Sequence, residues 1–231
     1  MLVIEGEQEL EYALRAGYPL EYLLYPIGQE PSQYLIDRAK HSAEMETSLF
    51  KKLTYRGESA RVAAILGFMD NDVEGRSFNK VLVLENIEKP GNLGALFRTA
   101  LASACDAIIT TGQSTDFYNS NCIRSSVGTV FLLPHWRMDN DEALSFLKKQ
   151  DLQIYATDLE GSKSLYAEAL PERAAFVFGA EHHGISDFWK NKSAHKIRIP
   201  MAADMDSLNL SASAAVVLYE HSRQHPKSYE E

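Results

Sequence analysis

Apolar positions along the chain follow one pattern up to about residue 70 and another after it. In EQELEYALRAG (7–17), Leu10, Ala13 and Leu14 recur at helical spacing and Gly17 closes the segment. LEYLLYP (20–26) predicts a short strand stopped by Pro26, and PSQYLIDRAKHSA (31–43) a helix with Pro31 near its start. RVAAILGFM (61–69) predicts an apolar strand. Residues 1–70 thus form a small α/β unit. DNDVEGRSFN (70–79) is polar and acidic with no apolar period, so 71–79 is the expected linker. Beyond it, apolar strands predicted at 81–84, 107–110, 130–133, 153–157, 175–178 and 196–199 alternate with helical segments. That order predicts a larger α/β domain over 80–225, a mostly parallel sheet with helices on both faces. The tail RQHPKSYEE is expected to fray.

Composition narrows the function classes. Of 231 residues, 45% are hydrophobic and 24% charged, as in soluble globular proteins. The longest apolar run, AAFVFGA, is seven residues, too short for a membrane span. The acidic start lacks a basic leader, so a cytoplasmic protein away from membranes is expected. Cys105 and Cys122 lack any CxxC or Cys/His spacing and read as reduced thiols. A net charge of −9 argues against nonspecific coating of nucleic acid, yet leaves room for a local basic patch. KKLTYRGESAR offers one, with Lys51, Lys52, Arg56 and Arg61 around Tyr55. From composition alone, a solvated charged face is the preferred account of it.

In a parallel α/β sheet, ligands bind beyond the carboxyl ends of the strands, and three loops there stand out. In VLVLENIEKPGNLGALFRTA, Pro90, Gly91, Asn92 and Gly94 predict a turn that needs backbone freedom, with Arg98 on the following helix. It lacks both the Lys-Ser/Thr of a P-loop and the GxGxxG of a dinucleotide fold. Taken alone, Arg98 is a surface arginine. In FVFGAEHHGISDFW, Gly179 and Gly184 bracket Glu181, His182 and His183; neighbouring histidines diverge and no third ligand has metal spacing, so no metal is expected. In KIRIPMAADMDSLNLSASAAVVLYE, a strand ends near Pro200, and Ser207 or Asn209 caps a helix whose small first residues suit close packing.

In this order, NxGxxxR (from Asn92), GxExxG (from Gly179) and IPMxxxxxSLNxS (from Ile199) resemble the signature motifs of the TrmH-type (SpoU) RNA ribose 2′-O-methyltransferases of the SPOUT superfamily. The resemblance runs from about residue 78 to 222, and the preceding residues resemble, in length and element order, the L30e-like substrate-binding domain of many members. It implies a deep trefoil knot, S-adenosylmethionine bound bent within it, and a homodimer with the active site near the interface. Carried over by position, Gly179, Ile199 and Leu208, with Thr157 and Met201, surround the cofactor. Asn92, Arg98, Glu181, Ser207 and Asn209 are the catalytic or substrate-side polar set. RSSVG (124–128) resembles a further family segment, which gives Arg124 and Ser126 to RNA beside Lys51, Lys52, Arg56 and Arg61. The implied activity is methyl transfer to a ribose 2′-hydroxyl of tRNA or rRNA; the alternative is a catalytically silent RNA-binding protein with the same fold. A guanidinium holds its proton far above neutral pH, so Arg98 reads as a clamp on phosphate and 2′-oxygen. The proton acceptor, Glu181 or a nearby histidine, stays open.

Overall fold

The computed structural model describes residues 1–55, 57–69, 75–160, 162–180, 183–202 and 208–226, with backbone alone at residue 58. In chain order the first unit holds β1 (Leu2–Ile4), α1 (Glu7–Arg15), β2 (Leu20–Pro26), α2 (Gln33–Arg38), β3 (His41–Met45), α3 (Thr47–Leu53) and β4 (Ala63–Leu66). Its strands form a sheet in the order β1-β4-β2-β3. The second unit follows with β5 (Lys80–Glu85), α4 (Pro90–Ala102), β6 (Ala107–Thr111), α5 (Ser120–Ser125), β7 (His135–Arg137) and α6 (Asn140–Lys149). It continues through β8 (Gln153–Thr157), β9 (Lys163–Ser164), β10 (Ala174–Phe178), α7 (Asp187–Lys192), β11 (His195–Arg198) and α8 (Leu210–Gln224). These strands pair in the order β7-β6-β5-β10-β8-β11-β9, and every pairing is parallel.

Strands β5, β6 and β10 are buried along their whole length, which is why they read as apolar runs and not as alternations. Alternate residues of each strand feed opposite cores. Leu82, Leu84, Ile108 and Phe176 share one with α4 and α8, while Val81, Val83, Ile109 and Val177 share the other with α6 and Trp189. The first core continues into the N-terminal sheet, so the two sheets are welded by apolar packing. At that seam Tyr18 and Tyr118 join hydroxyls at 2.8 Å, and the Tyr18 ring meets Phe131 edge-on.

Three sequence expectations are corrected. The apolar run predicted as a strand at 130–133 is a single 3₁₀ turn, Thr129–Phe131, and the strand lies later, at His135–Arg137. Val127 (φ 54°) and Gly128 (φ 82°) turn the chain into the core there, so burial without extension makes the apolar signal. The helix expected to reach residue 43 ends at Arg38, and the polar residues His41–Met45 form an exposed edge strand. Finally, the glycine turn is no turn: α4 starts at Pro90, a favoured first helical residue, and Gly91, Asn92 and Gly94 lie in its first turns. A Cβ on Gly94 would run into Ser125 Oγ and lie 2.5 Å from the Cys122 carbonyl oxygen, so this glycine lets α5 lie against α4. It serves helix packing; it does not cradle a phosphate.

Both cysteines are buried and free, and burial pushes their thiols up to about 12. Burial also holds His135 and His221 down at about 4, against an ordinary value near 6.5. Each is neutral in the folded protein, with a ring nitrogen on a carbonyl, Leu133 at 2.8 Å and Pro171 at 2.9 Å. Below pH ~6.5 the unfolded chain takes up these protons and the folded chain does not, so stability falls as pH drops toward 4. The slope is ~1.4 kcal/mol per pH unit for each histidine. Urea unfolding near pH 5 should therefore give up to ~4 kcal/mol less stability than near pH 7.5. Equal stabilities would contradict two neutral buried histidines.

Candidate active site at the carboxyl ends of the strands

A cavity of about 600 Å³ opens where β8, β10 and β11 end. The apolar part of its wall includes Phe178, Ile185, Ile197, Ile199, Leu208, Leu210 and Val217; its polar part includes Thr157, Asp158, Glu160, His183, Lys190, Arg198 and Ser213. Size and lining are those of a small-molecule site. All five residues expected at a cofactor, Thr157, Gly179, Ile199, Met201 and Leu208, line it.

Each wall has a local cause. The Thr157 hydroxyl donates to the Val177 carbonyl at 2.9 Å, so this side chain braces β8 against β10 and presents its remaining surface to the cavity. Beyond Gly179 the chain doubles back: Gly184 N–H donates to the Ala180 carbonyl at 2.9 Å, and Gly184 takes φ 62°. A Cβ on Gly179 would run into the backbone of Gly184 and Ile185, so the glycine is required by the loop's own fold, before any ligand is considered. Glu85, almost fully buried at the end of β5, holds the far end of this loop. Its carboxylate accepts from Ser186 N–H (2.6 Å), Ser186 Oγ (2.7 Å) and Asn140 Nδ2 (3.1 Å), and Asn140 Oδ1 accepts from Trp189 Nε1 (3.1 Å). A buried carboxylate is tolerated when its lone pairs are filled in this way.

The strand order brings in one more wall. β11 lies between β8 and β9, so the segment joining those two strands passes over it. Contacts hold it there: Asp158 N–H donates to the Ile197 carbonyl (3.1 Å), Arg198 Nη1 to the Ser162 carbonyl (2.5 Å), and Lys196 pairs with Asp158 at 3.4 Å.

The expected catalytic set is less concentrated. Asn209 is the N-cap of α8, its Oδ1 accepting from Ser211 N–H at 3.0 Å, beside the cavity wall. Asn92 sits in the first turn of α4, half-buried, outside the lining. Arg98 is exposed two turns further along α4, does not line the cavity, and makes no hydrogen bond or ion pair among the described residues. Glu181, His182, Ser207 and Arg56 lie outside the described residues. Among the residues expected to face RNA, Lys51 and Lys52 are exposed at the end of α3, and Arg61 and Arg124 are exposed elsewhere. Ser126 is a correction. It is fully buried and its hydroxyl donates to the Ile123 carbonyl at 2.8 Å, which occupies it in the α5 turn and keeps it from a bound RNA.

Asp158, Glu160, Lys190 and Arg198 were missed, while His183 was weighed only as one of two neighbouring histidines. Their signal was positional: all lie within a few residues of the ends of β8, β10 and β11, or on the helix that follows. The cavity therefore joins an apolar floor to a rim of both charges, suited to a ligand with an aromatic or aliphatic body and several polar groups.

Solved structures share this architecture over nearly the whole chain. An RNA 2′-O ribose methyltransferase is 34% identical, with a TM-score of 0.83 over 96% of this chain and 88% of that one. The SpoU methyltransferase AviRb from Streptomyces viridochromogenes, solved with the cofactor AdoMet, is 24% identical, with a TM-score of 0.86 over 96% and 89%, a likeness of fold. An uncharacterized tRNA/rRNA methyltransferase from Synechocystis sp. is 30% identical over 233 aligned residues, 96% of this chain and 84% of its own. The family model of the SpoU rRNA methylases matches residues 79–219. The chain belongs to the SpoU rRNA methylase family.

Proposed function

We propose that the protein transfers a methyl group from S-adenosylmethionine to a ribose 2′-hydroxyl of tRNA or rRNA. One observation carries this reading: five residues from three separate stretches, each expected at the cofactor, line a single cavity. The residues fit the group. Phe178, Ile197, Ile199 and Leu208 offer apolar surface to an adenine and to the methylene groups around a sulfonium, and Asp158 and Glu160 offer carboxylates to hydroxyl and ammonium groups. Bound there, S-adenosylmethionine supplies an electrophilic methyl group.

The chain's own task is then to place a 2′-oxygen in line and to assist loss of its proton. Alignment is the larger contribution, able to recover ~7–11 kcal/mol of barrier. Arg98 clamps the target phosphate and 2′-oxygen, Asn209 fixes the start of α8 under the cavity, and Glu181 or a histidine such as His183 receives the proton. Because Arg98 stands outside the cavity of its own chain, it acts across the interface of a homodimer. Partly exposed Ala215 and Val216 and half-exposed Tyr219 give α8 an apolar outer surface that suits such an interface. The segment over β11 supports the reading of a knotted C-terminal region.

Calorimetry should give S-adenosylmethionine binding in the micromolar range, about −8 kcal/mol. Mapping 2′-O-methylation in total RNA from cells with and without the gene should reveal one or a few lost sites. Cofactor binding with no lost site would favour the catalytically silent reading; no cofactor binding would remove the enzyme. The patch of Lys51, Lys52, Arg56 and Arg61 grips RNA backbone away from the cavity. The quadruple alanine variant should flatten the salt dependence of RNA binding by ~0.7–0.9 of a slope unit per lost contact. An unchanged slope and affinity would leave the patch as a solvated face.

A further inference from the structure

The fold brings together two basic segments that are far apart in sequence, and an aromatic ring is what joins them. Arg124, on α5 of the large domain, holds its guanidinium carbon 4.9 Å from the centroid of the Tyr55 ring, within cation–π range. Tyr55 follows α3 of the small domain, three residues after Lys52. The residue is 71% exposed, so the arginine leaves much of it open to solvent. Each residue has one hydrogen-bond anchor. Tyr55 N–H donates to Glu5 Oε1 at 2.9 Å, which pins the ring's backbone to the segment after β1. Arg124 Nη2 donates to Asn121 Oδ1 at 2.6 Å, which fixes the plane of the guanidinium. A flat aromatic surface, a flat cation and flanking lysines are thus held at the junction of the two domains.

Building on the RNA methyltransferase reading, we propose that Tyr55 and Arg124 form a stacking platform for an unpaired base of the substrate RNA. An exposed tyrosine has an apolar face that water solvates poorly, and every nucleobase offers a matching π-face. Arginine stacks on bases as well as pairing with phosphates, and neighbouring lysines hold the strand. The platform makes the enzyme favour RNA with unpaired nucleotides near the target. A patch of lysines alone would bind single strand and duplex by charge. The ring adds a preference for bases that are free to stack.

The test uses the full-length protein with two probes: a mixed-sequence single-stranded RNA of about 20 nucleotides, and the same strand annealed to its complement. Tyr55→Ala should weaken single-strand binding by about five- to a hundredfold, the effect of losing one stacked base, while duplex binding stays within about twofold. The salt slope should not change, because no phosphate contact is lost. Tyr55→Phe should bind as the wild type does, and Tyr55→Leu, which is apolar but not flat, should remain weak. Wild-type binding of the single strand by Tyr55→Ala, or an equal loss on both probes, would overturn the platform. S-adenosylmethionine titration of the same variants should be unchanged. Failure of the methyltransferase reading would appear there, in the wild type, and not in the comparison of the two RNAs.

Discussion

Arg98→Ala is expected to lower methyl transfer to RNA by a few hundredfold while S-adenosylmethionine affinity stays within about twofold, since a charge-assisted contact to the reacting group is worth ~3–4 kcal/mol in the transition state. The separation of the two effects follows from where the residue stands. Arg98 is exposed on α4 and contributes nothing to the cavity wall, so its loss leaves the cofactor's surroundings intact. Among the described residues it has no hydrogen-bond or ionic partner that would give it a structural role. Lysine should rescue poorly, because an ammonium lacks the planar two-pronged geometry that grips a phosphate. The pH–rate profile separates clamp from base. A clamp predicts that Arg98→Lys keeps the wild-type pH dependence at a depressed rate. A lysine enzyme with strong activity and a new, lower apparent pKa would assign proton removal to this position, and near-wild-type turnover in Arg98→Ala would remove the residue from the mechanism.

The sequence showed the parts of this molecule whose physics is local. Fully buried parallel strands are apolar along their length, so β5, β6 and β10 were visible within a residue or two. The run at 130–133 has the same composition but is buried as a turn, and only the backbone at Val127 and Gly128 separates the two cases. β3 was hidden for the opposite reason: an exposed edge strand has no apolar period to read.

The site divides in the same manner. The five cavity residues were legible through the motif resemblance, which carried them over by position. The roles of the glycines were not. Gly94 needed the position of α5 and Gly179 the path of its own loop, and both are facts of packing between segments. Likewise, nothing in RSSVG says that Arg124 faces out while Ser126 faces in; the α5 turn decides it.

Gly179→Val should reduce S-adenosylmethionine affinity at least a hundredfold, with the protein still folded. The reason lies in the backbone. The valine Cβ would occupy the position of the Gly184 and Ile185 main chain, so the loop from 179 to 185 must move. That loop supplies Gly179, Ala180, His183, Gly184 and Ile185 to the cavity. The sheet below it does not depend on the turn, since β10 is paired with β5 over Ala174–Phe178 and with β8 over Ala174–Val177. Far-ultraviolet dichroism should stay native-like, and calorimetry with wild-type affinity would refute the assignment. The variant also tests the dimer. Mixing Gly179→Val with Arg98→Ala, each inactive alone, and allowing subunits to exchange pairs an intact cavity in one chain with an intact arginine in the other. If Arg98 acts across the interface, half the dimers are mixed and each has one working site, so about a quarter of wild-type activity should return. If Arg98 serves its own chain, every site in the mixture carries one lesion, and activity stays at the level of the separate variants.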